Sequence, residues 1–399
     1  MIPVAEALEI VLRNCKPLPA AARPLSPAAL GRVLAEDVRS DLDMPPFDKT
    51  LMDGYAVRCA DLRDGAAELV VQAEVTAGKS APALQPKCAI RIMTGAPIPA
   101  GADAVVRVEH TKPLPDNRVQ IRTKQPRPGD FILAKARELK RGDVVLKSGA
   151  VLGPQEFGLF ATAGQISAKL VASPSLAVLA TGDELVEADE MPGPAGLRNS
   201  NGPMLMVQAA RAGARPRSLG IARDNVDSLR DHIRQGLSDS ILVLSGGVSA
   251  GKLDLVPGVL NECGVQPHFH QVEMKPGKPV FFGTRDETLV FGLPGNPVSS
   301  FCCFELFVRP AIRKLSGHAQ PGPFWAQAAL IEDLPYSTER PTYHPAIMSN
   351  VDGANRVRIV PWFGSADLRA ITQANALLLL PAGKHKHPAG KLMSVMPLN

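Results

Sequence analysis

Aromatic residues are scarce in this 399-residue chain, which has two Trp and three Tyr, and its formal net charge is only +5. So small an excess permits an anionic substrate but does not argue for nucleic acid. No stretch approaches the roughly 18 apolar residues of a membrane span, so no membrane partner is expected. The N-terminus, MIPVAEALEIVLRN, carries Glu6 and Glu9 in an amphipathic pattern and reads as a structural helix, not a signal or transit peptide. None of the six cysteines forms a Cys-x-x-Cys pair. Adjacent Cys302 and Cys303 lie in an apolar run and read as buried thiols, which makes a reducing cytoplasm the natural setting. The eight histidines show no metal-ligand spacing, and no Ser-His-Asp set is discernible.

What the chain has instead is proline, 37 residues of it, in keeping with many short strands and turns. Its length exceeds one core and predicts two to four domains. Val4 to Arg13 has helical spacing, and Ser26-Pro27 predicts an N-cap with proline at the first helical position. Leu34 to Asp41 reads as a strand, broken at Pro45-Pro46. From Tyr55 to His110, β-rich runs alternate with Pro and Gly, at Glu68 to Val75, Cys88 to Met93 and Ala104 to Val108, which predicts a small β module. Val119 to Arg122 and Val144 to Leu146 extend it, and Pro154 to Ala163 returns to helix. From Ser175 to about Leu315 strand and helix alternate, which predicts a mostly parallel, doubly wound sheet ending in one long apolar helix from Val298 to Lys314. From Gln320 on the pattern predicts strands without helices. Lys384-His385-Lys386-His387 reads either as a metal-binding run or as a solvated basic turn.

The organising stretch is Ile241 to Asp254, ILVLSGGVSAGKLD. A short apolar run predicts a buried strand, followed by a loop with three glycines (Gly246, Gly247 and Gly251) and Ser249. Such a loop brings backbone N–H groups close to an anion, and Asp254 beyond it suits a metal or ribose; the competing reading is a tight turn capped by Asp254. Lys275 and Lys278 sit in a turn stiffened by proline and glycine, MKPGKP, which suits a small oxyanion or phosphate but also fits a solvated basic turn. Pro294-Gly295-Asn296-Pro297 runs into a helix whose N-terminus favours an anion, with Ser299 either a ligand or a cap. The loops at Thr181, Asp224 and Ser245 follow strands and are expected to gather at one sheet edge. Acids there (Asp183, Glu184, Asp224, Asp254), with Asp53 from the β module, make sense beside phosphates if a hard cation such as Mg²⁺ lies between.

MDGYA at 52 to 56, MTGA at 93 to 96, TGDEL at 181 to 185, SGGVSAG with Asp254, MKPGKP and LPGNPVS together resemble the molybdopterin molybdenumtransferases, the MoeA family, similar to the E domains of the plant molybdenum insertase and of gephyrin. The match runs in order over almost the whole chain. The resemblance implies a multidomain α/β protein. Its parts would be an elongated α+β domain (1–44 and 145–172, with the N-terminal helix free to pack elsewhere), a β-rich domain (45–144), a three-layer doubly wound α/β domain resembling molybdopterin adenylyltransferase (173–317) and a C-terminal β-barrel (318–399). It implies a cytoplasmic homodimer that transfers molybdate onto the dithiolene of adenylylated molybdopterin, releasing AMP with Mg²⁺. Molybdopterin adenylyltransferase and molybdoenzyme maturation factors would be its partners. Carried over by residue, Asp224, Ser249 and Asp254 would serve the nucleotide and Mg²⁺, with Gly246 and Gly247. Lys275, Lys278, Ser299 and the Pro294–Pro297 turn would hold the oxyanion. Asp53, Thr94 and Glu184 match positions linked with activity, the first two reaching the cleft of a partner subunit, and Arg340 and Ser365 would complete the molybdate pocket. The chain departs from the family at Leu51, at Leu133 (usually arginine), at Glu138, around Pro345, where a second arginine is often seen, and at Ala366-Asp367. Molybdate and tungstate are not distinguished by sequence. The competing function is a homologue that has lost catalysis and acts as a molybdopterin-binding or scaffold module.

Overall fold

The computed structural model describes residues 1–62, 64–248 and 255–398. Contacts divide the chain into two compact units, one of residues 1–35, 149–152 and 168–399, the other of 36–148 and 153–167.

The first unit contains a six-stranded sheet in the spatial order Arg215–Ala222, Ser175–Thr181, Ile241–Ser245, Thr288–Leu293, Phe281–Arg285 and Gln266–Phe269. The first four strands run parallel, Phe281–Arg285 runs against them, and Gln266–Phe269, antiparallel to Phe281–Arg285, runs with them again. Ile241–Ser245 is buried along its whole length because it has parallel neighbours on both edges and apolar clusters on both faces. That is why its sequence is a continuous apolar run rather than an alternation. Each of its four apolar side chains is worth roughly 1.5–3 kcal/mol of burial. Helices Asn201–Arg211, Val226–Gly236 and Val256–Glu262 flank the sheet. The chain leaves Ser175–Thr181 towards one side and reaches Ile241–Ser245 on the other, which makes a topological switch point at the carboxyl ends of these strands.

One expectation changes here. The long apolar helix is not uniform: Pro297–Cys303 and Arg309–Leu315 are α-helical, but Phe304–Val308 is a π-helix. Pro310 has no N–H to donate back to Leu306, and a widened turn just before it absorbs that missing bond. The N-terminal helix Val4–Arg13 packs into the same core, with Ala7 and Val11 beside Phe304 and Phe307.

Beyond residue 325 five strands close a barrel: Ala326–Leu330, Ala354–Ile359, Thr342–Val351, Ala376–Leu380 and Leu392–Pro397. Helix is not absent there, because Asp367 accepts the Ala370 N–H and caps Leu368–Gln373. The Lys384–His387 run is no turn either. Gly383–His387 is a strand paired with Leu334–Thr338, and its rings are engaged, His385 Nε2 on the Ala382 carbonyl and His387 Nδ1 accepting from Lys391.

The second unit is built on a six-stranded sheet ordered Ala104–Arg107, Gly54–Val57, Cys88–Ile92, Ala66–Val75, Arg118–Arg122 and Thr111–Leu114. Alternate residues serve opposite faces: Val106 and Val57 enter one cluster, Val105 and Ala56 the other. The strand expected over Leu34 to Asp41 shrinks to Val38–Arg39. Pro27–Ala29 forms only a 3₁₀ turn, and Ser26 makes no side-chain cap.

Candidate functional site

At the switch point the loops after Thr181, Ala222 and Ser245 do converge. Gly182 N–H donates to Ala222 O, Asp224 N–H donates to Asp183 Oδ1, and Arg223 Nη1 donates to the Asp183 and Leu185 carbonyls. Asp183, Glu184 and Asp224 are exposed at this edge. The Glu184 carboxylate folds over Gly182, where a Cβ would lie 2.5 Å from its Oε2.

Gly246 and Gly247 are required by geometry. Both have positive φ (99° and 64°), and a Cβ on Gly246 would stand 2.5 Å from Thr181 O. The turn thus lies directly on the end of the neighbouring strand. It also lies on the Leu293–Pro297 turn: Gly246 N–H donates to Leu293 O, and a Cβ on Gly295 would come 3.7 Å from Gly246 Cα. Ser249 and Asp254 lie outside the described residues.

The helix that begins at Pro297 is where the remaining segments meet. The Val298 N–H, expected to be free for an anion, is taken by Ser365 O at 2.9 Å. Ser299 is left with a backbone N–H and a hydroxyl that have no partner among the described residues. Farther along this helix, the Cys303 thiol donates to Gly277 O at 3.6 Å, and a Cβ on Gly277 would meet that sulfur at 2.5 Å. Burial holds this thiol far above its usual range, so it is a packing group and not a nucleophile.

Gly277 is the apex of the lysine turn. Pro276 and Gly277 are buried, while Lys275 and Lys278 are exposed. The barrel fixes the turn, because Lys275 N–H donates to Pro341 O (2.9 Å), Tyr343 N–H to Lys275 O (2.8 Å), and Arg340 Nη1 to Met274 O (3.0 Å). Lys275, Arg340, Ser365 and Ser299 are therefore drawn from segments that touch one another. Beside them His344 donates from Nδ1 to Pro345 O, and its pKa is lowered chiefly by burial, with the Lys275 ammonium adding to the effect.

In the second unit Asp53 and Thr94 form a pair. The Thr94 hydroxyl and N–H both donate to Asp53 Oδ1, at 2.7 and 2.6 Å. These bonds, the hydroxyl's first, lower the Asp53 pKa.

Among the described residues no three His, Cys, Asp or Glu side chains stand close enough to hold a metal on their own. Exposed carboxylate oxygens at Asp183, Glu184 and Asp224 are the donors a hard cation takes, and Mg²⁺ commonly uses one or two carboxylates plus substrate phosphates.

Sequence reasoning missed Asn201 and Thr181. Asn201, buried at the first position of its helix, donates from Nδ2 to Ser245 Oγ (2.8 Å) and to Gly295 O (2.7 Å). Ser245 also meets Ser300 Oγ (3.3 Å), which donates to Pro294 O (2.6 Å). Asn201 Oδ1 and Thr181 Oγ1 are buried without partners among the described residues. The run Asn199-Ser200-Asn201 holds three possible caps, and that abundance hid the one asparagine with another task.

This architecture defines a class: a doubly wound α/β domain with a glycine turn at its switch point, joined to a closed barrel that anchors a lysine turn. The comparisons narrow the class. Residues 2–164 match the MoeA N-terminal region (domain I and II), 177–314 a probable molybdopterin binding domain, and 327–398 the MoeA C-terminal region (domain IV). The molybdopterin molybdenumtransferase of Staphylococcus aureus (strain Mu50 / ATCC 700699) is 33% identical over 99% of this chain and 95% of its own. That of Nostoc sp. (strain PCC 7120 / SAG 25.82 / UTEX 2576) is 37% identical over 93% and 87%. The crystal structure of the molybdopterin biosynthesis MoeA protein from Pyrococcus horikoshii OT3 superposes with a TM-score of 0.83 at 28% identity, covering 100% of both chains. The chain belongs to the MoeA family.

Proposed function

We propose that this protein is a transferase of molybdenum cofactor biosynthesis that inserts molybdenum into molybdopterin, taking adenylylated molybdopterin and molybdate and releasing AMP. The observation that carries this reading is the abutment of the Gly246 turn on the Leu293–Pro297 turn, whose helix also touches the lysine turn at Gly277 and Ser365 at Val298. On this reading a nucleotide-type anion site and an oxyanion-type site would lie along one helix. Molybdate is a tetrahedral dianion, and Lys275, Lys278, Arg340 and the Ser299 donors suit it. Holding the oxyanion beside the dithiol lets its two sulfurs form two bonds to molybdenum while one oxo group, taking the two thiol protons, leaves as water. Asp224, with Asp254, would hold Mg²⁺, which when bound offsets phosphate charge. Glu184, Asp53 and Thr94 are assigned to the reaction by the family resemblance. On this reading the protein is a cytoplasmic homodimer, supplied by molybdopterin adenylyltransferase and serving molybdoenzyme maturation factors. No helix among the described residues is long and apolar enough to cross a membrane.

The test is reconstitution of purified protein with adenylylated molybdopterin, Mg²⁺ and molybdate. AMP release and active cofactor are expected to appear together, to need molybdate and to be lost in Lys275→Ala. Nucleotide binding without cofactor formation would favour the scaffold reading, and full activity in Lys275→Ala would overturn the assignment of the lysine turn.

A further inference from the structure

Asn201 spends both of its amide hydrogens on two different turns, one on Ser245 Oγ at the root of the glycine turn and one on Gly295 O in the Leu293–Pro297 turn. The Gly295 carbonyl can only accept, so the amide orientation is fixed, and Oδ1 is the atom left without a partner among the described residues. A buried acceptor with no donor is destabilising, and apolar side chains would fill the same space without that cost. A second chain of bonds runs parallel to the first, from Ser245 Oγ through Ser300 Oγ to Pro294 O. Nothing else in the core requires a polar side chain here, since helix capping is done by Asn199, whose Oδ1 accepts the Gly202 N–H at 2.9 Å.

We propose that Asn201 is a positioning residue that locks the Gly246–Gly247 turn to the Leu293–Pro297 turn, so that what binds on one is held in register with what binds on the other. The assignment builds on the function proposed above, because register matters only if both turns carry reactants. Displacement of one reactant by about 1 Å can cost a factor of roughly 100 in rate while each reactant still binds.

Asn201→Asp keeps the shape and removes the N–H groups that reach Gly295 O, and Asn201→Ala removes the whole amide. In the reconstitution assay both variants are expected to lower kcat by roughly 100-fold while the KM for molybdate moves by less than about 3-fold. Hydrogen exchange, which needs no substrate, reads the lock itself: amides in 241–248 and in 293–300 are expected to exchange faster together, by about tenfold, in both variants. Should Asn201→Ala fail to fold, Asn201→Asp and Ser245→Ala carry the same measurement. Unchanged exchange, or faster exchange in only one segment, overturns the lock. Faster exchange in both segments with unchanged kcat overturns its role in the reaction. If the wild-type protein forms no cofactor, the functional reading fails, and exchange alone decides the lock.

Discussion

The abutment of Gly246 on Thr181 predicts what an added methyl group does there. Gly246→Ala must accept a φ of 99° and a Cβ placed 2.5 Å from Thr181 O and 2.9 Å from Thr181 Oγ1. Gly220 is the control, since its φ is also positive (76°) but a Cβ there meets nothing within 4 Å. Gly220→Ala should therefore cost only backbone strain, about 1–2 kcal/mol. Gly246→Ala adds a clash with a backbone oxygen, which must retreat by roughly 1 Å, and overpacking of that kind costs about 1–3 kcal/mol more. The gain from a stiffer unfolded chain is common to both and cancels in the comparison. At about 2–4 °C per kcal/mol, Gly246→Ala should melt roughly 2–12 °C below Gly220→Ala. It should also lose about 100-fold in turnover, because the backbone donors have moved, while Gly220→Ala keeps its rate. Thermal melting and the reconstitution assay on the same preparations test this. Equal melting temperatures with equal turnover would refute the close approach and with it the anion-cradle role of the turn.

Two further outcomes concern protons. His344 has a folded pKa below its ordinary 6.5, so the unfolded chain binds the proton first; the stability that depends on neutral His344 is complete above about pH 6.5 and is lost as pH falls below it. Replacing Lys275 with Met should raise the His344 pKa towards 6.5 in an NMR titration, and an unmoved pKa would mean that the two side chains do not sense each other. Asp53 is held below its ordinary 3.8 chiefly by the Thr94 hydroxyl, so its bond to Thr94 is intact above that pH and is lost as pH falls through the lower, folded value. Thr94→Val should move the carboxyl titration up towards 3.8, and ¹³C NMR of the side-chain carboxyl would expose a failure of that assignment.

How far the chain could be read depended on which features are local. The Ile241 strand and the helices around it have simple periods, so their order was legible, as was the clustering of the Thr181, Asp224 and Ser245 loops. Strands of the barrel were harder. Gly383–His387 is basic and mostly exposed, and only its pairing with Leu334–Thr338 makes it a strand. The π-helical interruption at Phe304–Val308 carries an apolar sequence that reads as ordinary helix, with Pro310 the one available signal. Among site residues, the glycines and lysines announce themselves by turn chemistry. Asn201 does not, because its role is defined by two partners 44 and 94 residues away. The use of the Val298 N–H by Ser365 was equally invisible, since it depends on how the barrel meets the helix.

The cations of the first unit divide into those paired with buried acids and those that are not. Glu305 is almost wholly buried and receives both Arg211, at 2.6 Å, and Arg309, at 2.9 Å. Asp239 likewise receives Arg217, at 2.7 Å. A buried acid left without its arginine would be costly, so these cations are tied to the fold. Lys275 and Lys278 have no acidic partner among the described residues, and Arg340 gives its bond to the neutral Met274 carbonyl. The backbone of Lys275 is nevertheless held by bonds on both its N–H and its C=O. Rigid placement of uncompensated positive charge gains nothing for stability; it lowers the cost of binding an anion, because the donors are already in place when it arrives. His344 beside them donates its Nδ1 hydrogen to the Pro345 carbonyl. On the proposed function, oxyanion affinity in this chain would fall on Lys275, Lys278, Arg340 and the donors of Ser299, so loss of any one of these should weaken molybdate binding, read by titration, more than loss of a cation that already has a carboxylate to neutralise.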